Sequence, residues 1–360
     1  MSLRTPVSWS CAAVLVVAVA HASVPATSAM SLQTQAQVAA AVVADAAPDA
    51  AATKTPVAPS PVPLLWKISA ADADPSDAAA SPAQSDADAS SLYLLGSFHL
   101  LKPADYPLSA DVDAAFADAE SLLFELPPQE MVSPQLGLQM GQAALRTDGT
   151  TLDSELPPAT ARKLQSWFAD NASALQAAGM APAMLQMFEP WFVGLTVSIV
   201  GMTGHGLQPE LGLDQHFAAA AQQAGKPTAG LETGAQQIAF LDGMDQAEQL
   251  QLLDEALTDA DSDGAELEKL HAAWRAGDVA TLWNGMAADM QREYPQLYRH
   301  VNVERNDAWL PVLEQRLQAD DGDDTLVVVG ALHLLGSDGV VEKLRAKGYR
   351  VERICSACAP

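Results

Sequence analysis

The chain has 360 residues, 49% of them hydrophobic, with 19 Lys and Arg against 45 Asp and Glu and a formal net charge of −26. That length and apolar content suffice for one large domain or two small ones. The acidity argues against nucleic acid and anionic membrane surfaces as partners, and it would suit a cation.

The N-terminus reads as a targeting segment. Arg4 supplies a short positive region, residues 12–20 an apolar core, and Ala20-His21-Ala22 a small-x-small cleavage site, with Thr27-Ser28-Ala29 as a second option. Residues 1–22 are therefore expected to be a signal peptide, and the protein to be exported, periplasmic or secreted. The apolar run is too short to span a bilayer, and Cys11 lacks the small-residue context of a lipid anchor, so no stable membrane insertion follows cleavage. Removal of Cys11 leaves Cys355 and Cys358. In an oxidising compartment that even remainder suggests a local disulfide, with two idle thiols as the alternative.

Residues 23–62, rich in Ala, Pro, Val and Thr, read as a disordered tether. The folded domain is expected over 63–355, with a tail at 356–360. Residues 64–69 look like a first strand. The Ala/Asp/Ser/Pro run 70–90 reads as a floppy hairpin insertion that shields or simply decorates a site. Residues 92–101, Leu-Tyr-Leu-Leu-Gly-Ser-Phe-His-Leu-Leu, are a buried strand broken by Gly96 and followed by His99. Ser109 caps a helix to about residue 119, and 121–126 is another buried strand carrying Glu125, stopped by Pro127 and Pro128.

A helical region follows, with helices over 157–170, 174–179 and 182–202; Met184, Met187, Trp191 and Phe192 make an apolar stripe of core type. His205 lies in a flexible loop, as a surface residue. Leu213-Asp214 opens a helix ending before Gly225, and 226–231 is a short strand leading to Glu232. Helices are then expected over 235–241, 245–258, 263–277, 279–294 and 298–318, the last carrying Arg305 and Asn306. The Asp-rich turn at 259–264 resembles the start of a calcium loop, but Leu270 stands where the closing Glu is required. Residues 325–335, Thr-Leu-Val-Val-Val-Gly-Ala-Leu-His-Leu-Leu, repeat the Gly-x-x-His-Leu-Leu pattern with Gly330 and His333. A helix over 339–348 and a strand over 349–354 close the domain. Alternating strands and helices predict an α/β fold, a central mixed sheet with helices on both faces and a large helical insertion between strands.

His99, Glu125, Glu232 and His333 all follow apolar strands, at the edge where ligands bind in α/β sheets. Each His could instead cap its strand, and Glu125 could be a structural partner of an Arg, because an unpaired buried charge is costly. Two imidazoles and one or two carboxylates suit Mn²⁺, Co²⁺ or Zn²⁺, with a remaining carboxylate as general base. Without a metal the same groups could hydrolyse by acid–base chemistry, one His as base and a Glu orienting it. Nucleophilic catalysis finds no Gly-x-Ser-x-Gly elbow, and no Gly-rich phosphate loop follows a strand.

The two Gly-x-x-His motifs resemble the TraB/GumN family, related to the Tiki proteins. So do Leu122-Leu123-Phe124-Glu125-Leu126, Pro209–Asp214 in the form Pro-Glu-Leu-Gly-Leu-Asp, 225–233, 273–278, Glu304-Arg305-Asn306 and 348–351. They occur in the family's order over about 64–354. The resemblance implies a fold like that of erythromycin esterases and ChaN-type proteins, and a metal-dependent peptidase. It assigns His99, His333 and Glu125 as metal ligands, with Glu125, Glu232, Arg305 and Asn306 at catalytic positions; Arg305 would neutralise a buried Glu or hold a substrate carboxylate. A peptide or protein substrate follows from the Tiki likeness. A non-catalytic binder of peptide or saccharide is the alternative, from the pheromone-shutdown and exopolysaccharide branches.

Overall fold

The computed structural model describes residues 59–70, 89–262, 264–319 and 321–358. The signal peptide, most of the tether and most of the 70–90 run lie outside the described residues. Six strands form one sheet: β1 (Leu65–Ser69), β2 (Leu92–Ser97), β3 (Ser121–Phe124), β4 (Thr228–Gly230), β5 (Thr325–Gly330) and β6 (Arg350–Arg353). Their spatial order is β4-β3-β5-β2-β1-β6. All six overlap the strands expected from the sequence.

Burial explains their composition. β2 and β5 are buried along their whole length, and a central parallel strand covered on both faces must be apolar throughout. β5 pairs in parallel with β2 on one side and β3 on the other, with Gly96 opposite Val329 and Phe124 opposite Val328. β1 runs antiparallel to both β2 and β6, so the sheet is mixed. β6 alternates between exposed and half-buried residues at the edge, and its sequence Arg-Val-Glu-Arg blunts that edge with charge. Helices surround the sheet, most of them in the two long connections from β3 to β4 and from β4 to β5.

Several boundaries differ from the sequence reading. The single helix expected over 182–202 is two, Pro182–Leu185 and Pro190–Gly204. Pro190 takes the first helical position of the second, and the residue before a proline is biased to extended backbone; Glu189 has ψ 153°. Met184 and Met187, expected in the core, are 38% and 56% exposed, whereas Trp191 is fully buried. Helices Pro128–Met131 and Pro134–Ala143 were not expected. The helices over 279–294 and 298–318 are each interrupted by a π turn, Asn284–Ala288 and Arg299–Val303. The loop joining β1 to β2 leaves Ser69 and returns at Leu92. Because β1 is antiparallel to β2, Ser69 and Leu92 both stand at the edge opposite His99; residues 71–88 between them, expected to shield or decorate the site, lie outside the described residues. Cys355 and Cys358 form a disulfide with Cα atoms 5.3 Å apart.

Candidate functional site

Strand order decides what meets at the carboxyl edge. β2, β3, β4 and β5 are mutually parallel, so the residues that follow them emerge on one side in the sequence Glu232, Glu125, His333, His99. β5 sits between β3 and β2, and this places His333 beside His99 although more than two hundred residues separate them. All four are buried, with His333 at 0% and Glu125 at 1% exposure. Gly330 keeps the space open: a Cβ there would stand 3.1 Å from Glu125 Oε1 and 3.2 Å from His99 Nε2.

His99 is oriented by a residue to which the sequence reading gave no role. Its Nδ1 lies 2.7 Å from Asp214 Oδ2, which also accepts from Ser97 Oγ at 2.6 Å. An imidazole facing a carboxylate donates Nδ1–H, which leaves the Nε2 lone pair available. His99 Nε2 has no hydrogen-bond partner and stands 3.8 Å from Glu125 Oε1. Asp214 belongs to the first turn of the helix Leu213–Ala224, where the helix dipole favours a negative charge. Its signal in the sequence was an acid at a helix start just after Gly212. That glycine lets the helix abut the strand end: a Cβ on it would fall 2.0 Å from the His99 carbonyl oxygen. Gly212→Ala is therefore expected to push the helix start away and to cost about 1–3 kcal/mol in urea unfolding, in the range of overpacking changes.

Arg305 is the centre of the opposite half. It projects from the helix Glu304–Leu317 directly after the π turn, and is 1% exposed. Its Nη2 donates to Glu125 Oε2 at 2.6 Å and also to Glu232 Oε1, and its Nε reaches both Glu232 oxygens at 3.1 and 3.2 Å. Its Nη1 lies 3.1 Å from His333 Nε2. A guanidinium has no acceptor, so His333 Nε2 accepts, and His333 Nδ1–H must donate to Asn306 Oδ1 at 2.7 Å. Asn306 is held in turn by donating to the Asp338 carbonyl at 2.8 Å. Glu232 accepts further from Gln237 Nε2 and Trp309 Nε1, at 2.8 and 3.3 Å, and Glu125 Oε1 accepts from Gly330 N at 2.7 Å. Ser97, Asp214, Gln237 and Trp309 are the contacts that sequence reasoning missed.

The two imidazoles are tuned in opposite directions. Burial depresses His99, but the Asp214 carboxylate outweighs it and Glu125 adds to the effect, so its pKa is raised. Burial and then the Arg305 guanidinium hold His333 well below the ordinary histidine range, so it stays neutral. Burial would raise Asp214, yet His99 and Ser97 hold it lowered. Burial opposes the charge on Arg305, but Glu125 and Glu232 raise its pKa. The linkage signs follow. His99 contributes stability that is full below about 6.5 and is lost as pH rises through its raised value. Asp214 contributes stability that is present above about 3.9 and is lost as pH falls through its lowered value. His333 weakens the fold as pH falls below about 6.5, because only the unfolded chain readily takes that proton.

A family model of the TraB/PrgY/gumN family matches residues 83–353. The chain belongs to the TraB/PrgY/gumN family. The match contains His99, Glu125, Asp214, Glu232, Arg305 and His333, so the whole cluster lies inside the family domain. Two curated relatives, each described as "Uncharacterized protein YbaP", come from Escherichia coli (strain K12) and Shigella flexneri. Each is 25% identical to this TraB/PrgY/gumN chain over 258 residues, covering 70% of the chain and 87% of the relative. No solved structure matches.

The three metal ligands implied by the resemblance fit a cation only in part. His99 Nε2 is unpartnered, and Glu125 Oε1 is 3.8 Å from it and 3.9 Å from His333 Nε2. The lone pair of His333 Nε2, however, is taken by Arg305, whose positive charge also rests on Glu125. As packed, the set does not fit a three-ligand centre. Among the described residues no group of three or more His, Cys, Asp or Glu is disposed to hold a metal ion. Access is narrow. Gln237, Phe240, Leu241 and Val301 wall a crevice of about 10 Å³ that reaches Arg305. A larger cavity of about 170 Å³ beside Trp167, Met202, His205 and Leu267 shares no residue with the site. No helix among the described residues is long and apolar enough to cross a membrane.

Proposed function

We propose that this TraB/PrgY/gumN domain is an exported hydrolase, cleaving peptide bonds by acid–base chemistry with His99 as general base. The observation that carries the reading is the His99–Asp214 pair: a buried imidazole with one nitrogen fixed by a carboxylate and the other, Nε2, left without a partner beside Glu125. Such a nitrogen is costly to bury unless it has a task. His99 Nε2 takes the proton of a water as it attacks the scissile carbonyl and returns it to the leaving amine. Arg305, bound to Glu125, Glu232 and neutral His333, holds Glu125 in place beside His99 Nε2. Export is supported by residues 1–22 and by the Cys355–Cys358 disulfide. The peptide class is supported by the likeness to Tiki proteins.

The test is incubation of the purified chain with a mixed peptide library, followed by mass spectrometry, with and without a chelator. Cleavage that survives the chelator and disappears in His99→Gln supports the proposal. Cleavage that is lost on chelation and returns with Mn²⁺, Co²⁺ or Zn²⁺ overturns the metal-free chemistry and restores the His99, Glu125 and His333 ligand reading. Peptides retained but intact under every condition make the protein a binder, and saccharide capture is then the next assay.

A further inference from the structure

The carboxyl edge of the sheet carries a second hollow beyond His99. β6 is antiparallel to β1, which is antiparallel to β2. Arg353 at the end of β6 and Trp66 near the start of β1 therefore reach the same edge as the two imidazoles. A cavity of about 460 Å³ opens there, its walls including Trp66, Val279, Leu334, Leu335, Val341 and Arg353. Leu334 and Leu335 directly follow His333. The volume falls in the range of about 300–1,000 Å³ typical of small-molecule sites.

Arg353 gives this hollow its chemistry. It is the cross-strand partner of Trp66, and its guanidinium lies over the indole, 4.8 Å from the ring centroid. Nη1 donates to the Leu65 carbonyl at 2.8 Å and the Pro63 carbonyl at 3.4 Å, and Nη2 to that of Pro63 at 3.5 Å. Because Nη1 and Nη2 converge on Pro63, the hydrogens left over are Nε–H and the Nη2–H beside it. Among the described residues they meet no acceptor, and no carboxylate pairs with this guanidinium. Two parallel N–H groups of that kind fit both oxygens of one carboxylate. Burial without a counter-charge pulls the Arg353 pKa down to about 10, and Asp111 offsets this only in part. The acids nearby are engaged elsewhere. Glu342, which also lines the cavity, is bound by Arg345. Asp111 accepts from Ser356 N and Oγ, and Asp278 from Thr281 N and Oγ1. The net charge of −26 is screened beyond about 8 Å at physiological ionic strength, so an anion here is held by contact and not by long-range attraction.

We propose that this hollow binds a carboxylate joined to an apolar group, the two free N–H groups of Arg353 taking both oxygens and Trp66, Leu334, Leu335 and Val341 the apolar part. The site does not use His99 and stands apart from the hydrolase reading. Such a carboxylate belongs either to a free organic acid or to the last residue of a peptide. Isothermal titration calorimetry of the full chain with 3-phenylpropanoate, with acetyl-Ala-Ala-Phe as the free acid, and with the amide of each tests this. Both acids should bind, and each amide about tenfold or more weaker, the loss of one charge-assisted pair. Tighter binding of the peptide acid assigns a peptide terminus, and tighter binding of phenylpropanoate a free acid. Arg353→Met should weaken the acids by a similar factor, with Arg353→Lys between it and the wild type. Val279 is exposed at the rim, on the first position of its helix, so it can be changed without disturbing the fold. Val279→Glu should weaken the acids and Val279→Lys tighten them. His99→Gln should bind as the wild type does, which separates this site from the hydrolase. A wild type that binds neither acid overturns the proposal, as do amides that bind equally well or Val279 variants that leave both affinities unmoved.

Discussion

Arg305→Met is expected to be the most destabilising single substitution in the site. It strands Glu125 and Glu232, 1% and 6% exposed, without the guanidinium that both of them bind. Removing one partner of a buried ion pair costs about 3–5 kcal/mol, a large share of the roughly 5–15 kcal/mol by which a domain is stable. Arg305→Lys should not rescue the loss, because one ammonium cannot make the forked contacts to Glu125, Glu232 and His333 at once. Combining Arg305→Met with Glu125→Gln and Glu232→Gln should recover much of it, since neutral amides no longer demand a counter-charge. Urea unfolding followed by tryptophan fluorescence reads all of these variants. An Arg305→Met chain with a wild-type midpoint would mean that the guanidinium is not what holds the two carboxylates in the core.

The second large effect falls on activity. His99→Gln should lower peptide hydrolysis by about 10²–10⁴-fold, the range of general acid–base contributions. Asp214→Asn should cost a comparable factor, because the amide no longer fixes the Nδ1–H tautomer and leaves Nε2 wrongly protonated. Since the two act as a unit, the double variant should be no worse than the poorer single one. The pH profile gives a separate readout. The base must be neutral, and Asp214 raises the pKa of His99 above the ordinary 6.5, so the acidic limb of kcat/KM should lie above 6.5. In Asp214→Asn the raising charge is gone and the limb should move to lower pH. The same substitution should abolish the extra stability that His99 supplies below 6.5. An unchanged limb in Asp214→Asn would mean that a group other than His99 controls the rate.

Much of this was legible locally. The central strands were readable because a strand covered on both faces has no choice but to be apolar, and β5 in the form Thr-Leu-Val-Val-Val-Gly leaves no polar alternation to misread. The stops were legible where backbone chemistry is unambiguous: Gly225, at φ +68°, ends its helix as expected. Helix interruptions were less so. The π turn before Arg305 has no local signature in Arg299–Val303. The exposure of Met184 and Met187 was equally hidden, since an apolar stripe looks the same whether it faces a core or a partner.

By itself the sequence determined which residues end the parallel strands, His99, Glu125, Glu232 and His333, because strand ends are marked by nearest-neighbour chemistry. It also supplied the family motifs in their order. Only the tertiary structure decided that β5 lies between β2 and β3, and hence that the two imidazoles and Glu125 share one buried space. It alone decided that Asp214 belongs to His99 and that Arg305 sits between two carboxylates and a neutral His333. Those pairings span 28 to 180 residues of chain. They are chosen by the need of every buried charge for a partner, a condition that is met across the whole fold and leaves no trace in local pattern.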